Sequence, residues 1–212
     1  MKTDREYRAF EVRAQENAEN ENEMRVQGYA TTFETPYTLF ADNEVEVREI
    51  ISEDAFDDTD LSDVIMQYNH EGRVFARISN GTLKLKADKP KGLFIDADLG
   101  GTDLGRQVYG EIKGGYTNKM SMGFTVDRSA DVWTREEIDG RTVETRRINR
   151  IKKLFDVSAV SIPANNQTSI EAVSVRALVD GVIDELKAER LEAERRELER
   201  LRVETRARLL ED

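Results

Sequence analysis

Short segments in which apolar and polar residues alternate fill the chain from residue 1 to about residue 178. Alternation with a period of two is typical of strands that bury one face. Gly, Asn and Asp residues separate the segments, as expected at turns. The pattern therefore predicts a mostly antiparallel sheet system with strands near 8–13, 24–33, 45–50, 63–69, 82–87, 92–98, 119–128, 131–138, 141–149 and 153–161.

Turn and capping signals complete this picture. Asp139-Gly140 predicts a hairpin, since this dipeptide tolerates the positive φ angles of a type I′ turn. Three helices are predicted from capping residues: one over 52–58 capped by Ser52, one capped by Thr102 and ended by Gly114-Gly115, and one opened by the capping box that begins at Thr168. Peripheral helices of this kind cover a barrel or sandwich, so the predicted class is α+β with a mostly β core.

The composition changes near Asp180-Gly181. The chain beyond this point is rich in Glu, Arg, Leu and Ala and has no later Gly or Pro, which is typical of a helix. Two interpretations of this tail have equal weight. Val179, Leu186 and Ala193 lie seven apart and favour self-association, which leaves a homo-oligomer open, whereas Glu-Arg pairs favour a solvated single helix. We predict two domains, 1–178 and 179–212.

Composition excludes several classes of protein. The chain has no Cys, which removes disulfides, thiolate nucleophiles and zinc-thiolate sites. Its formal net charge of -11 argues against nucleic acid as a partner. No apolar stretch is long enough to cross a bilayer, and the N-terminus lacks the apolar core of a signal peptide, so no membrane partner is expected.

His70 is the single histidine of the chain, and it follows the apolar strand pattern over 63–69. One histidine limits proton transfer near neutral pH to one imidazole ring and excludes a His-His metal pair. A lone histidine at a strand end is, however, more often an ordinary surface or core residue than a catalytic one.

Two other residues have the chemistry to act with His70. Ser121 lies between two methionines, Met120 and Met122, and Gly123 follows them. On a strand, Ser121 and Gly123 would share one face, and the two methionines would pack on the other. Asp156 lies in an apolar strand, where an ionised carboxylate needs a partner. Histidine is one suitable partner; backbone amides or the nearby Lys152 or Lys153 are equally good ones.

Several motifs also resemble, in order, those of the prohead maturation proteases of tailed phages, a family related in fold to the herpesvirus assemblins. The resemblance extends from about residue 5 to about residue 175, and the ordered set is more specific than any one motif. The matching motifs are Gly28-Tyr-Ala30, Glu49-Ile-Ile-Ser-Glu-Asp-Ala-Phe56, Asn69-His70, Leu83-Lys-Leu85 before Gly92-Leu93, Met120-Ser121-Met-Gly-Phe124 and Phe155-Asp156-Val-Ser158-Ala-Val-Ser-Ile-Pro163-Ala164.

This resemblance implies a closed or partly closed antiparallel β-barrel of the herpesvirus-protease type and a serine endopeptidase without a cofactor or metal. It implies Ser121 as the nucleophile, His70 as the general base and Asp156 as the third member, where herpesvirus relatives have a second histidine. The implied substrates are scaffold segments of the major capsid protein and the protease itself, inside the immature capsid in the host cytoplasm.

The resemblance leaves the oxyanion donors open. Herpesvirus relatives have two arginines in the loop after the last strand, whereas this chain has Asn165 and Asn166 there, and backbone amides are a further choice. Asn69 and Glu71 are candidates for orienting His70, although a simple turn after a strand is the commoner role of such residues.

Two rival functions remain. The acidic composition and the charged tail also fit a non-enzymatic capsid assembly or scaffolding protein. A metal-dependent nuclease is a weaker alternative, because one histidine, no cysteine and net acidity fit it poorly.

Overall fold

The computed structural model describes residues 5–14, 24–161 and 173–208. Within these ranges the chain forms twelve strands and two α-helices. In chain order they are β1 (Glu6–Ala14), β2 (Arg25–Thr32), β3 (Tyr37–Ala41), β4 (Val45–Ile51), β5 (Ile65–Tyr68), β6 (Glu71–Arg77), β7 (Leu83–Asp88), β8 (Gly92–Asp98), α1 (Asp103–Lys113), β9 (Lys119–Val126), β10 (Val132–Ile138), β11 (Arg141–Ile148), β12 (Ile151–Val160) and α2 (Val173–Arg208).

The strands form two sheets. The larger has eight strands in the order β6-β5-β12-β9-β1-β2-β8-β7, and the smaller has the order β10-β11-β4-β3. All neighbours are antiparallel except the pairs β12 with β5 and β11 with β4. The predicted α+β class with mostly antiparallel sheets is confirmed. A closed barrel is not found among the described strands, since no hydrogen-bonded ladder joins the two end strands, β6 and β7, and that part of the prediction is unconfirmed.

Two strands were missed from the sequence, and both lie at a sheet edge. β3 ends the smaller sheet and β6 ends the larger one. An edge strand is supported on one side only and can leave much of its surface in water, so its apolar alternation is weak. Residues 71–74 of β6 are all exposed, which explains why the pattern did not reveal this strand.

The turn and capping predictions have mixed outcomes. The hairpin at Asp139-Gly140 is confirmed, with φ angles of 53° and 76° at its two central residues. Helix α1 is also confirmed, and the Thr102 hydroxyl accepts a hydrogen bond of 2.9 Å from the Gly105 amide. The predicted opening of a helix at Thr168 lies outside the described residues.

The predicted helix over 52–58 is wrong. This segment forms successive turns, in which the Ala55 amide donates to the Ser52 carbonyl at 3.0 Å and the Asp57 amide to the Asp54 carbonyl at 3.1 Å. Ser52 does accept a hydrogen bond from the Asp54 amide at 3.4 Å. A segment of seven residues with three aspartates has too little helix propensity to propagate beyond that turn.

A buried ion cluster connects the two sheets. Its side chains are at most 4% exposed and come from β1, β4, β11 and the residue before β10: Glu6, Arg8, Glu49, Asp131 and Arg146. Arg8 donates to both carboxylate oxygens of Glu49, at 2.6 and 2.7 Å. Arg146 donates to Glu6 at 2.8 Å, to Glu49 at 3.0 Å and to Asp131 at 2.8 Å. These bonds fix β1, and through it the adjacent β9, against the smaller sheet.

The cluster contains three carboxylates and two guanidinium groups, and burial and the neighbouring charges shift the pKa values of its members. Burial raises the pKa of Asp131 and outweighs the opposing effect of Arg146. Burial also raises the pKa of Glu6, but the two arginines outweigh it, and the net shift is downward. Tyr37 donates to Glu49, and burial together with that carboxylate raises the pKa of the phenol well above its usual value.

Backbone contacts divide the chain into two compact units, Met1–Val175 and Arg176–Asp212. In the second unit, all side chains from Lys187 to Glu204 are exposed, and α2 carries pairs such as Arg196 with Glu192 at 2.6 Å. Among the described helices, none combines the length and the apolar character that a membrane crossing requires. Self-association of the tail stays a prediction.

Candidate active site

His70 lies in the two-residue turn that joins β5 to β6. Tyr68 and Glu71 pair across this turn, and Asn69 and His70 have φ angles of 49° and 58°. Positive φ at both central residues is the signature of a type I′ turn, and it is uncommon for residues other than glycine. The structure therefore holds His70 beyond the strand in a backbone conformation that such residues rarely adopt.

The turn is fastened to the end of β12 by Asn69. The backbone N–H of Asn69 donates to the Ala159 carbonyl at 2.9 Å. Its side chain accepts a hydrogen bond from the Ser161 amide and donates one to the Ser161 hydroxyl, each at 3.0 Å. Asn69 thus positions His70 through the backbone of the turn. Glu71, the other candidate for this role, is an exposed first residue of β6.

Asp156 is the partner of His70. The imidazole Nδ1 lies 2.5 Å from Asp156 Oδ1, and the two side chains are 4% and 1% exposed. Both lysines proposed as alternative partners bind other carboxylates, Lys153 with Asp60 at 2.6 Å and Lys152 with Asp127 at 3.6 Å. Of the partners that the sequence left open, Asp156 therefore contacts His70 and neither lysine.

Two further residues contact the Asp156 carboxylate, and neither was identified from the sequence as part of the site. The Ser158 hydroxyl donates to Oδ1 at 2.7 Å, so this oxygen is shared with His70. The Arg5 guanidinium lies 3.9 Å from Oδ2 and stacks on the Phe155 ring at 3.8 Å from its centroid. The period-two spacing of residues 156 and 158 is the sequence signal that indicates the Ser158 contact.

Ser121 is the third residue of β9 and lies directly opposite Ser158 of β12. Side chains of directly opposed residues share a face of the sheet, with Cβ atoms about 4.5–5.5 Å apart. Met120 and Met122 are fully buried on the other face, as the sequence predicts. Ser121 is 1% exposed, and its hydroxyl has no hydrogen-bond partner among the described residues. The register thus brings Ser121 to the face that carries Asp156 and Ser158.

The structure gives no position for the predicted side-chain oxyanion donors. Asn165 and Asn166, the side-chain candidates for the oxyanion donors, lie outside the described residues. In the described part of the chain, no group of three or more Asp, Glu or His side chains is arranged to hold a metal ion.

The family model described as caudovirus prohead serine protease matches residues 8–180. No curated protein and no solved structure gives a significant match. The matched range contains His70, Ser121 and Asp156 and covers most of the chain, so this protein belongs to the caudovirus prohead serine protease family.

Proposed function

We propose that the protein is a serine endopeptidase that cuts scaffold segments of the capsid precursor, and itself, through a triad of Ser121, His70 and Asp156. The observation that carries this proposal is the contact of 2.5 Å between His70 Nδ1 and Asp156 Oδ1, on a face of the sheet shared with Ser121. In this proposal, cleavage takes place inside the immature capsid, in the host cytoplasm. The family match supports a role in capsid maturation.

The contact with Asp156 defines what the imidazole can do. A proton on Nδ1 is held by the carboxylate, which leaves the lone pair of Nε2 to accept the proton of a serine hydroxyl. In the proposed reaction, Ser121 Oγ attacks the scissile carbonyl carbon while Nε2 takes its proton. Asp156 then stabilises the imidazolium without itself becoming protonated.

The second half of the reaction returns the protein to its starting state. The imidazolium gives its proton to the leaving amine, and the peptide bond breaks to leave an ester on Ser121. A water molecule, deprotonated by His70 Nε2, attacks this ester. The bond to Ser121 Oγ breaks, the new carboxyl terminus is released, and Oγ takes the proton back from Nε2. Each step uses the same imidazole, in agreement with the single histidine of the chain.

The test is cleavage after co-expression of the protein with its capsid precursor, with product termini read by mass spectrometry. We expect Ser121→Ala to remain folded and to leave both the precursor and the protease uncut. Ser79→Ala is the matched control, because Ser79 is an exposed turn residue. Unchanged cleavage by Ser121→Ala would refute the triad and favour the non-enzymatic assembly role.

A further inference from the structure

The Ser158 hydroxyl is the second donor to the Asp156 oxygen that contacts His70. Ser158 is 0% exposed and donates to Oδ1 at 2.7 Å. We propose that Ser158 is a positioning residue, which holds the Asp156 carboxylate in the orientation that meets the imidazole. This inference rests on the proposed triad and extends it to a fourth residue.

An aspartate carboxylate needs such a restraint because the torsion about its last carbon-carbon bond is broad and has no sharp minima. The contact with His70 involves Oδ1 alone. At the other oxygen, Oδ2, no hydrogen-bond donor is present among the described residues, and the guanidinium of Arg5 is 3.9 Å away with 28% of its side chain exposed. Ser158 therefore supplies the close, fully buried restraint on this carboxylate.

Packing alone does not explain a serine at this position. Its neighbours Val157 and Ala159 are fully buried apolar residues of the same strand. Burial of a hydroxyl beside them is unfavourable unless the hydroxyl is hydrogen-bonded, and the hydrogen bond to Asp156 offsets this penalty. The small side chain also leaves room beside Ser121, which is directly opposite. Both properties fit a residue that serves the carboxylate.

A kinetic experiment separates positioning from binding. The substrate is a fluorogenic peptide that carries a cleavage sequence read from the product termini. We expect Ser158→Ala to lower kcat by about 10- to 100-fold, the effect of losing one hydrogen bond to a charged group, with KM changed by less than about twofold. Ser158→Thr, which keeps the hydroxyl, should recover most of the loss.

A spectroscopic experiment tests the same contact without turnover. Because the chain has one histidine, ¹⁵N-histidine labelling gives the signals of His70 alone. We expect Ser158→Ala to shift the Nδ1–H proton resonance, Asp156→Asn to shift it further, and Ser79→Ala to leave it in place. In a second, uniformly ¹⁵N-labelled sample, the signals of the backbone amides in β9 and β12 should change little, which shows that the strands remain paired.

The outcomes distinguish this inference from the proposed function. Ser158→Ala with an unchanged His70 signal and kcat within about twofold of the wild type would refute the positioning role, while an inactive Ser121→Ala would still support the triad. Loss of activity in Ser158→Ala as complete as in Ser121→Ala, without recovery in Ser158→Thr, would also refute it. If Ser121→Ala still cleaves, the triad fails, and the His70 signal alone decides whether Ser158 orders the pair.

Discussion

Replacement of Arg146 by methionine should destabilise the protein far more than the same change at Arg147. The two arginines are neighbours on β11, and each is paired with carboxylates. Arg146 is 1% exposed inside the buried ion cluster, whereas Arg147 is 36% exposed and binds Glu34 at 2.6 and 2.7 Å. Methionine keeps much of the apolar stem of arginine, so the change removes mainly the charge and its donors.

The expected magnitude follows from what is left behind. Without Arg146, the carboxylates of Glu6, Glu49 and Asp131 remain buried with Arg8 as the single cation of the cluster. Removal of one partner from a buried ion pair costs about 3–5 kcal/mol. An exposed pair contributes about 0–1 kcal/mol, which is the expected effect of Arg147→Met.

Urea unfolding followed by far-ultraviolet circular dichroism measures both variants. With an m-value of about 2 kcal/mol per M, a loss of 4 kcal/mol lowers the urea midpoint by about 2 M. The change should appear in the midpoint and leave the slope intact. If the two variants agree within about 1 kcal/mol, the desolvation cost of Arg146 cancels its ion pairs, and the cluster does not stabilise the contact between the sheets.

Three further predictions concern the site, the pH dependence and α1. Asp156→Asn should lower kcat by about 10⁴-fold in the peptide assay, since the amide favours the wrong imidazole tautomer; activity within tenfold of the wild type would show that Asp156 is not the third member. Burial raises the pKa of Asp131, so the folded state binds this proton more tightly than the unfolded chain, and stability is lost as the pH rises from about 4 through the folded pKa. The free energy of unfolding of Asp131→Asn, relative to the wild type, should therefore increase between about pH 4 and about pH 7, and a decrease would contradict the direction of the shift. Gly105→Ala should destabilise the fold by more than about 1 kcal/mol in urea, because its Cβ would lie 2.2 Å from the Leu99 carbonyl oxygen. Stability equal to the wild type would show that α1 moves away at little cost.

Local signals predicted most of the regular structure. Period-two alternation located ten of the twelve described strands, and the Asp139-Gly140 turn and the Thr102 cap were correct because each depends on a few adjacent residues. The buried ion cluster could not be predicted from such local signals. Glu6 and Arg8 alternate with apolar residues in β1, a pattern that is typical of a solvent-facing side, and it is the distant residues Glu49 and Arg146 that cover and neutralise them.

The candidate site was likewise predictable only in part. The types of residue at 70, 121 and 156 indicated their chemistry, and the spacing of Asp156 and Ser158 placed both on one face. The pairing of β12 with both β5 and β9 depends on contacts between segments far apart in the chain, which periodicity does not contain. The positive φ angles at Asn69 and His70 were likewise not predicted, because the sequence indicated a turn after the strand over 63–69 but not its type.

The order of the strands explains why the proposed triad needs its histidine on a turn and not within β5. Strand β12, which carries Asp156, lies between β5 and the Ser121 strand β9, so the order across the sheet is histidine, aspartate, serine. The proposed reaction needs the imidazole between the other two groups. Adjacent strands are about 4.8 Å apart, and a histidine within β5 would be two strands from Ser121. A histidine on the turn beyond β5 does not have that restriction, and His70 contacts Asp156 through Nδ1. The proposed reaction then requires Nε2 to face Ser121. The left-handed backbone at Asn69 and His70 is therefore the local feature on which the proposed triad depends.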